Sequence, residues 1–178
     1  GPRARELLVP MVEQLDISAA AFPHMSVGDG EICGVATRLM RVSFTGELGF
    51  EVNIPSGRAR QVWEAIWAHG QTLGLTAYGT EAMHILRAEK GYIIVGQETD
   101  GTVTPQDVGL GWAIGKAKPD FVGKRSPDRP ALLAKGRKQL VGLLTTDPSI
   151  VLEEGAQLMA PAGGPSLGHV TSSYFSAS

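Results

Sequence analysis

The stretch Arg38-Leu-Met-Arg-Val-Ser-Phe-Thr-Gly-Glu-Leu-Gly-Phe-Glu-Val-Asn-Ile-Pro55 decides the reading of the fold. Two runs of period 2 flank a glycine-bearing connection, which is the sequence form of a β-hairpin. In the first arm Met40, Val42 and Phe44 share one face, opposite Leu39, Arg41 and Ser43. In the second arm Phe50, Val52 and Ile54 share a face, and Glu51 and Asn53 point the other way. Gly46 and Gly49 supply the backbone freedom that a short turn with a bulge requires. One face therefore belongs to a core. The other sets a carboxylate beside an amide.

Upstream of the hairpin, Leu7, Leu8, Met11, Val12 and Leu15 recur at helical spacing, and Pro10 breaks them into a short helix. Residues 23–27 read as a strand, Gly28-Asp29-Gly30 as a turn and residues 31–36 as a second short strand, giving an antiparallel meander. Cys33 falls in that apolar run and reads as a buried strand residue. Downstream, the spacing predicts a helix over 56–69, with Ser56 as N-cap, Gly70 as its stop and Ala59, Val62, Trp63, Ile66 and Trp67 as a core stripe. A second helix is predicted over 80–89, capped by Thr80 and closed by Lys90 and a C′ glycine, Gly91. The fold class that follows is α+β, an antiparallel sheet with helices on one face.

Beyond residue 91 the pattern loosens. Residues 109–115 read as a glycine-punctuated strand. Residues 116–138 carry much of the basic charge, with prolines at 119, 127 and 130 and one short helix predicted over 131–135. This run reads as a solvated face, with phosphate binding as the alternative. From Gln139 the texture is all-β, with segments 140–144, 155–160 and 167–174 at the spacing of a small antiparallel barrel. The expected organisation is an α+β domain over 1–120, a linker over 121–136 and the truncated start of a barrel over 137–178.

Composition removes several function classes. With 43% hydrophobic and 19% charged residues the 178-residue chain reads as ordinary globular material, and its net charge of −2 argues against a nucleic-acid partner. No apolar run reaches the length of a membrane span. A single cysteine excludes an internal disulfide and fits a reducing, cytoplasmic compartment. His24, His69, His84 and His169 have no metal-ligand spacing, and no nucleophile elbow or dinucleotide fingerprint is present. No residue is assigned a catalytic role. The chain opens without methionine and stops inside a strand-like segment, so a piece of a longer polypeptide is expected. Glu51 is the candidate that remains: a carboxylate in a recess accepts two parallel hydrogen bonds from a planar N–H/NH₂ edge such as that of a pteridine or guanine.

The run Arg41-Val-Ser-Phe-Thr-Gly-Glu-Leu-Gly-Phe-Glu51 resembles the signature hairpin of the folate-binding aminomethyltransferases, which include the T-protein of the glycine cleavage system. Leu86-Arg-Ala-Glu-Lys-Gly91 resembles that family's helix end, and Leu167-Gly-His-Val-Thr-Ser-Ser173 the opening of its C-terminal barrel. More narrowly, residues 78–83, 87–97 and 107–116 are similar to α subunits of heterotetrameric sarcosine oxidases. That resemblance implies an oxidoreductase that demethylates sarcosine to glycine at a flavin and hands the carbon to tetrahydrofolate. It implies FAD, FMN and NAD bound largely outside this segment, a flavin-bearing β subunit as partner, and no catalysis by this segment alone. By the same resemblance Glu51 holds the pterin ring and Phe44 lines the folate pocket, by stacking or packing only, since it lacks the hydroxyl of a tyrosine. Met83 stands where the glycine cleavage enzyme has a folate-binding arginine, and the family's aspartate near the reacting nitrogen lies upstream. A non-oxidative folate-binding regulatory module and a structural domain holding a flavin-bearing partner stay open as other readings.

Overall fold

The computed structural model describes residues 1–177, which divide into two compact units, Gly1–Lys90 and Gly91–Ser178. The architecture is α+β with antiparallel sheets.

In the first unit, helix α1 (Ala4–Leu8) buries Leu7 and Leu8 and is followed by β1 (Val12–Glu13). The sheet continues with β2 (Val27–Ile32), β3 (Val35–Met40) and β4 (Glu51–Asn53), in the order β1-β2-β3-β4 and antiparallel throughout. Helix α2 (Ala59–Gly70), entered through a 3-10 turn at Ser56–Arg58, and helix α3 (Thr80–Lys90) complete the unit. Leu8, Ile17, Phe22, Ile32, Val35, Leu39 and Val62 form one buried cluster, with Phe50, Val52, Ile54 and Ile66 packed against it. Two helices and one sheet face thus share a core, as period 2 and period 3.6 require.

The meander is there, but its turns lie elsewhere. Gly28-Asp29-Gly30 is the middle of β2, not a turn. A Cβ at Gly28 would stand 2.8 Å from Leu15 and 3.2 Å from Phe22, and one at Gly30 would stand 2.7 Å from the Glu13 carbonyl. The glycines are therefore needed where other chain crosses the strand closely. The turn is Cys33-Gly34, a two-residue connection with both φ positive, at 53° and 67°. Such a turn matches the twist of the strands it joins. Cys33 is accordingly exposed, not buried in a strand.

That turn also fixes which residues of the quoted stretch face inward. Val35, Thr37 and Leu39 are buried, and Leu39 pairs with Val52. The expected core face of the first arm is thus reversed: Met40 is half-buried, and Phe44 lies exposed beyond the strand end. The second arm keeps the expected sides, Val52 inward and Glu51 and Asn53 outward.

Along α2 the inward residues are Val62 and Ile66. Trp63 and Trp67 stack on each other at 6.0 Å and 13° and remain 60% and 37% exposed, so the core reading of the tryptophans fails. Ser56 makes no side-chain cap bond. Helix α3 ends as predicted, with Gly91 at φ 79°. Its apolar residues are half-buried and take no part in the main cluster; Arg87 is its buried residue.

The second unit is mostly irregular. Residues 92–94 have no regular structure, 95–98 form a turn, and residues 111–113 form a 3-10 turn where a strand was expected. Helix α4 (Pro130–Leu133) sits inside the basic run. Strands β5 (Gln157–Met159) and β6 (Ser166–His169) pair antiparallel, while 140–144 is not a strand. Polar side chains hold this unit. Asp107 accepts from Thr104 N and Oγ1, both at 2.8 Å, from Gln139 Nε2 at 2.9 Å and from the Arg137 guanidinium. The Arg137 guanidinium holds the Asp107 carboxyl well below the usual carboxylate range; burial opposes the shift, and the Thr104 bonds reinforce it. Glu98, also buried, accepts from Ile94 N at 2.7 Å and from the Ser172 hydroxyl.

Candidate functional site

The connection from β3 to β4 is not the short turn its glycines suggest. The ladder of β2 and β3 carries on through Met25, Ser26 and Arg41, whose backbone groups exchange bonds at 2.9 and 2.8 Å. The chain then makes a closed loop over 41–50. Arg41 Nη1 donates to the Gly49 carbonyl at 3.2 Å, and a Cβ on Gly49 would stand 2.8 Å from the Val42 carbonyl. Gly46, at φ 85°, lies against the stem of Lys90. One glycine admits a left-handed backbone, and the other admits the close return of the chain.

Where the loop rejoins the sheet, Phe50 is held from several sides. Its ring stacks on Phe22 at 6.4 Å and 11°, and the guanidinium carbons of Arg5 and Arg41 stand 5.2 and 5.6 Å from its centroid. Arg5 also donates to the carbonyls of Ile17 and Phe22. Arg41 Nε and Ser43 Oγ are buried without a hydrogen-bond partner. Phe50 thus fixes the backbone just before Glu51.

Glu51 begins β4 opposite Met40, which in turn pairs with Val27. The next row on the same face of the sheet is Asp29, Arg38 and Asn53. Arg38 gives its guanidinium to Asp29, with Nε–Oδ1 at 2.8 Å, and Asn53 Nδ2 donates to the Arg38 carbonyl at 3.4 Å. The nearest cation in the pattern is therefore engaged. The Glu51 side chain is exposed and has no hydrogen bond or ion pair among the described residues. It stands beside apolar Met40 and Val27 on an open sheet face, not in a recess. Such a carboxylate keeps its full acceptor capacity for two parallel N–H donors.

The other expected site residue, Phe44, lies in the 41–50 loop and is 38% exposed, so its ring offers a surface for stacking. Met83 is half-buried on α3 and brings no charge. The four histidines do not converge, and among the described residues no cluster of metal-ligating side chains occurs. Among the described residues no helix is long and apolar enough to cross a membrane. What the sequence reading missed is the Arg5–Phe50–Arg41 sandwich. Its signal was an arginine at position 41, in register for a strand, yet inside a stretch that had to fold back.

Residues 1–118 match the model of the GCVT N-terminal domain. The chain is 50% identical over 98% of its length to a sarcosine oxidase subunit alpha of Corynebacterium sp. (strain P-1), and 38% identical over 99% to that of Rhizobium meliloti (strain 1021). It is 34% identical over 94% of its length to an aminomethyltransferase of Desulforamulus reducens. It spans 19%, 18% and 49% of those three proteins. A hairpin loop closed by glycines, an exposed glutamate at its exit and a family match covering the whole of both place the chain in one group: it belongs to the GCVT N-terminal domain family.

Proposed function

We propose that this chain is the folate-binding portion of a sarcosine oxidase α subunit, acting in oxidative demethylation of sarcosine with transfer of the carbon to tetrahydrofolate. The observation that carries the reading is Glu51, an unpaired and exposed carboxylate set by Phe50 at the exit of the 41–50 loop. Identity of 50% to a protein of that name supports the oxidative branch of the family over a non-oxidative folate-binding module. Tetrahydrofolate supplies the nucleophilic nitrogen that takes up the carbon. The residues of this chain bind and orient it: Glu51 accepts from the pterin N–H/NH₂ edge, and Phe44 presents its ring to the folate. Met83 gives no guanidinium for the glutamate tail, so the tail is held by other means.

The opposite wall of the pocket and the family's aspartate come from outside this segment, which alone is inert. FAD, FMN and NAD bind elsewhere in the assembly, and a flavin-bearing β subunit is the partner, in the cytoplasm. On this reading residues 1–120 serve folate, 121–136 link, and 137–178 open a small barrel whose first pair is β5–β6. Equilibrium binding of tetrahydrofolate to the intact subunit tests the proposal. Glu51→Ala is expected to weaken binding by roughly tenfold to a hundredfold, the worth of one or two charge-assisted bonds. Unchanged affinity overturns it.

A further inference from the structure

The basic run of the second unit is folded back on itself by successive turns. Residues 116–138 hold eight of the chain's 16 lysines and arginines but only two of its 18 aspartates and glutamates. Most of these side chains are exposed, but the backbone does not run out as an open strand. Successive turns fold it back, with Lys118 N on the Gly115 carbonyl at 3.2 Å, Lys124 N on Phe121 at 3.1 Å, Ser126 N on Gly123 at 2.9 Å and Arg129 N on Ser126 at 3.3 Å. Helix α4 follows at once. The stem of Lys118 lies across Gly115, where a Cβ would stand 3.2 Å from it.

These turns border an open surface cavity of about 680 Å³. Two of the cations on its wall are already engaged: Arg137 with Asp107, and Lys124 with the Pro119 carbonyl. The side chains of Lys116, Lys118 and Arg129 also line it, and none of them has a hydrogen bond or ion pair among the described residues. Asp128 is the acidic side chain on the wall. Cations gathered at one cavity repel one another, and an anion between them relieves that cost while the field draws it in. Phe121, Ile114 and Leu132 give the same cavity an apolar side. A wall that is cationic on one part and apolar on another suits a ligand with an anionic head and a hydrophobic body. The planar fork of an arginine with two ammonium groups beside it matches a phosphate dianion better than a single carboxylate.

We propose that this cavity binds a small organic phosphate, its phosphate on Lys116, Lys118 and Arg129 and its body against Phe121, Ile114 and Leu132. The site is separate from the Glu51 reading and does not depend on it. Calorimetric titration of the chain with phenyl phosphate at low salt tests it, beside benzoate (the same ring on a carboxylate) and inorganic phosphate (the same head without the ring). Phenyl phosphate is expected to bind below about 1 mM, and both comparison ligands about tenfold or more weaker. Lys118→Gln/Arg129→Gln is expected to weaken phenyl phosphate by about tenfold or more. Arg125→Gln, in the same run but off the cavity wall, should change it less than about twofold. Retained secondary structure by circular dichroism accompanies each variant. Absence of phenyl phosphate binding, equal affinity for benzoate or inorganic phosphate, or equal loss in Arg125→Gln overturns the proposal.

Discussion

The two units of this chain are stabilised by opposite means. In Gly1–Lys90 the fully buried side chains are Ile32, Leu39 and Val62, part of a continuous apolar cluster. Among the described residues of the second unit Val170 is the buried apolar one, while Glu98 and Asp107 are buried and bonded by hydroxyls, amides and a guanidinium. Apolar burial is non-directional and follows from spacing along the chain. A buried carboxylate is tolerated only if its partners are placed, and each partner lost leaves a costly unpaired group. The first unit is therefore held by contacts spread through one close-packed cluster, whereas the second depends on a few placed bonds.

The largest effect expected is in the first core. Leu39→Ala empties a fully buried site at the centre of β3 and is expected to lower stability by about 2–5 kcal/mol. Chemical denaturation followed by far-UV circular dichroism checks it, and a loss below about 1 kcal/mol would mean that the cluster is not the core.

Next in size is the polar anchor of the second unit. Asp107→Ala removes the acceptor of Thr104 N and leaves Arg137 and Gln139 only the Thr102 and Lys138 carbonyls, an expected cost of about 1–3 kcal/mol. Amide hydrogen exchange should show lost protection within 91–177 and little change within 1–90. The pH dependence has a fixed sign. The folded carboxyl titrates below its unfolded value, so its contribution is complete above the ordinary carboxylate range and is lost as pH falls toward the depressed folded value. Acidification should therefore loosen the second unit in the native chain, and Asp107→Asn should remove that part of the pH dependence. An unchanged acid profile would contradict the anchoring role.

The contrast also explains what was legible in advance. Periodicity located α2 and α3, the antiparallel pairing of β3 with β4 and the inward side of Val52 and Ile54. It failed where a single residue shifts the frame. Because the turn is Cys33-Gly34, Leu39 points inward, and the strand stops at Met40 before Val42 and Phe44 can join it. Gly28 and Gly30 looked like turn residues but serve close crossing of the chain. Trp63 and Trp67 fit the helical stripe as well as Val62 does, and only packing separates them. In the second unit no pattern announced that Asp107 meets Arg137 and Gln139, because side-chain bonds between distant residues leave no period. Glu51 was legible by its alternation with Phe50 and Val52. The Arg41 and Phe50 support behind it was not.

Smaller effects sharpen the comparison at the loop and the surface. Gly46→Ala combines a φ of 85° with a Cβ 2.6 Å from the Lys90 stem, and an expected cost of about 1–2 kcal/mol follows from the backbone alone. It should broaden amide resonances of 41–50 before those of the core strands. Trp63→Gln, by contrast, removes a ring that is 60% exposed and should change stability by no more than about 0.5 kcal/mol. A large loss there would show that the tryptophan pair belongs to a core after all.

The central claim concerns Glu51, and the fate of the oxidised carbon tests it most directly. On the proposed function, the enzyme assembled around this chain would be followed by flavin reduction with sarcosine beside the yields of methylenetetrahydrofolate and formaldehyde, for native protein and Glu51→Ala. The account predicts unchanged flavin reduction, with the carbon released as formaldehyde at tetrahydrofolate concentrations that saturate the native protein. An unchanged yield of methylenetetrahydrofolate would contradict it and leave Glu51 a solvated strand residue.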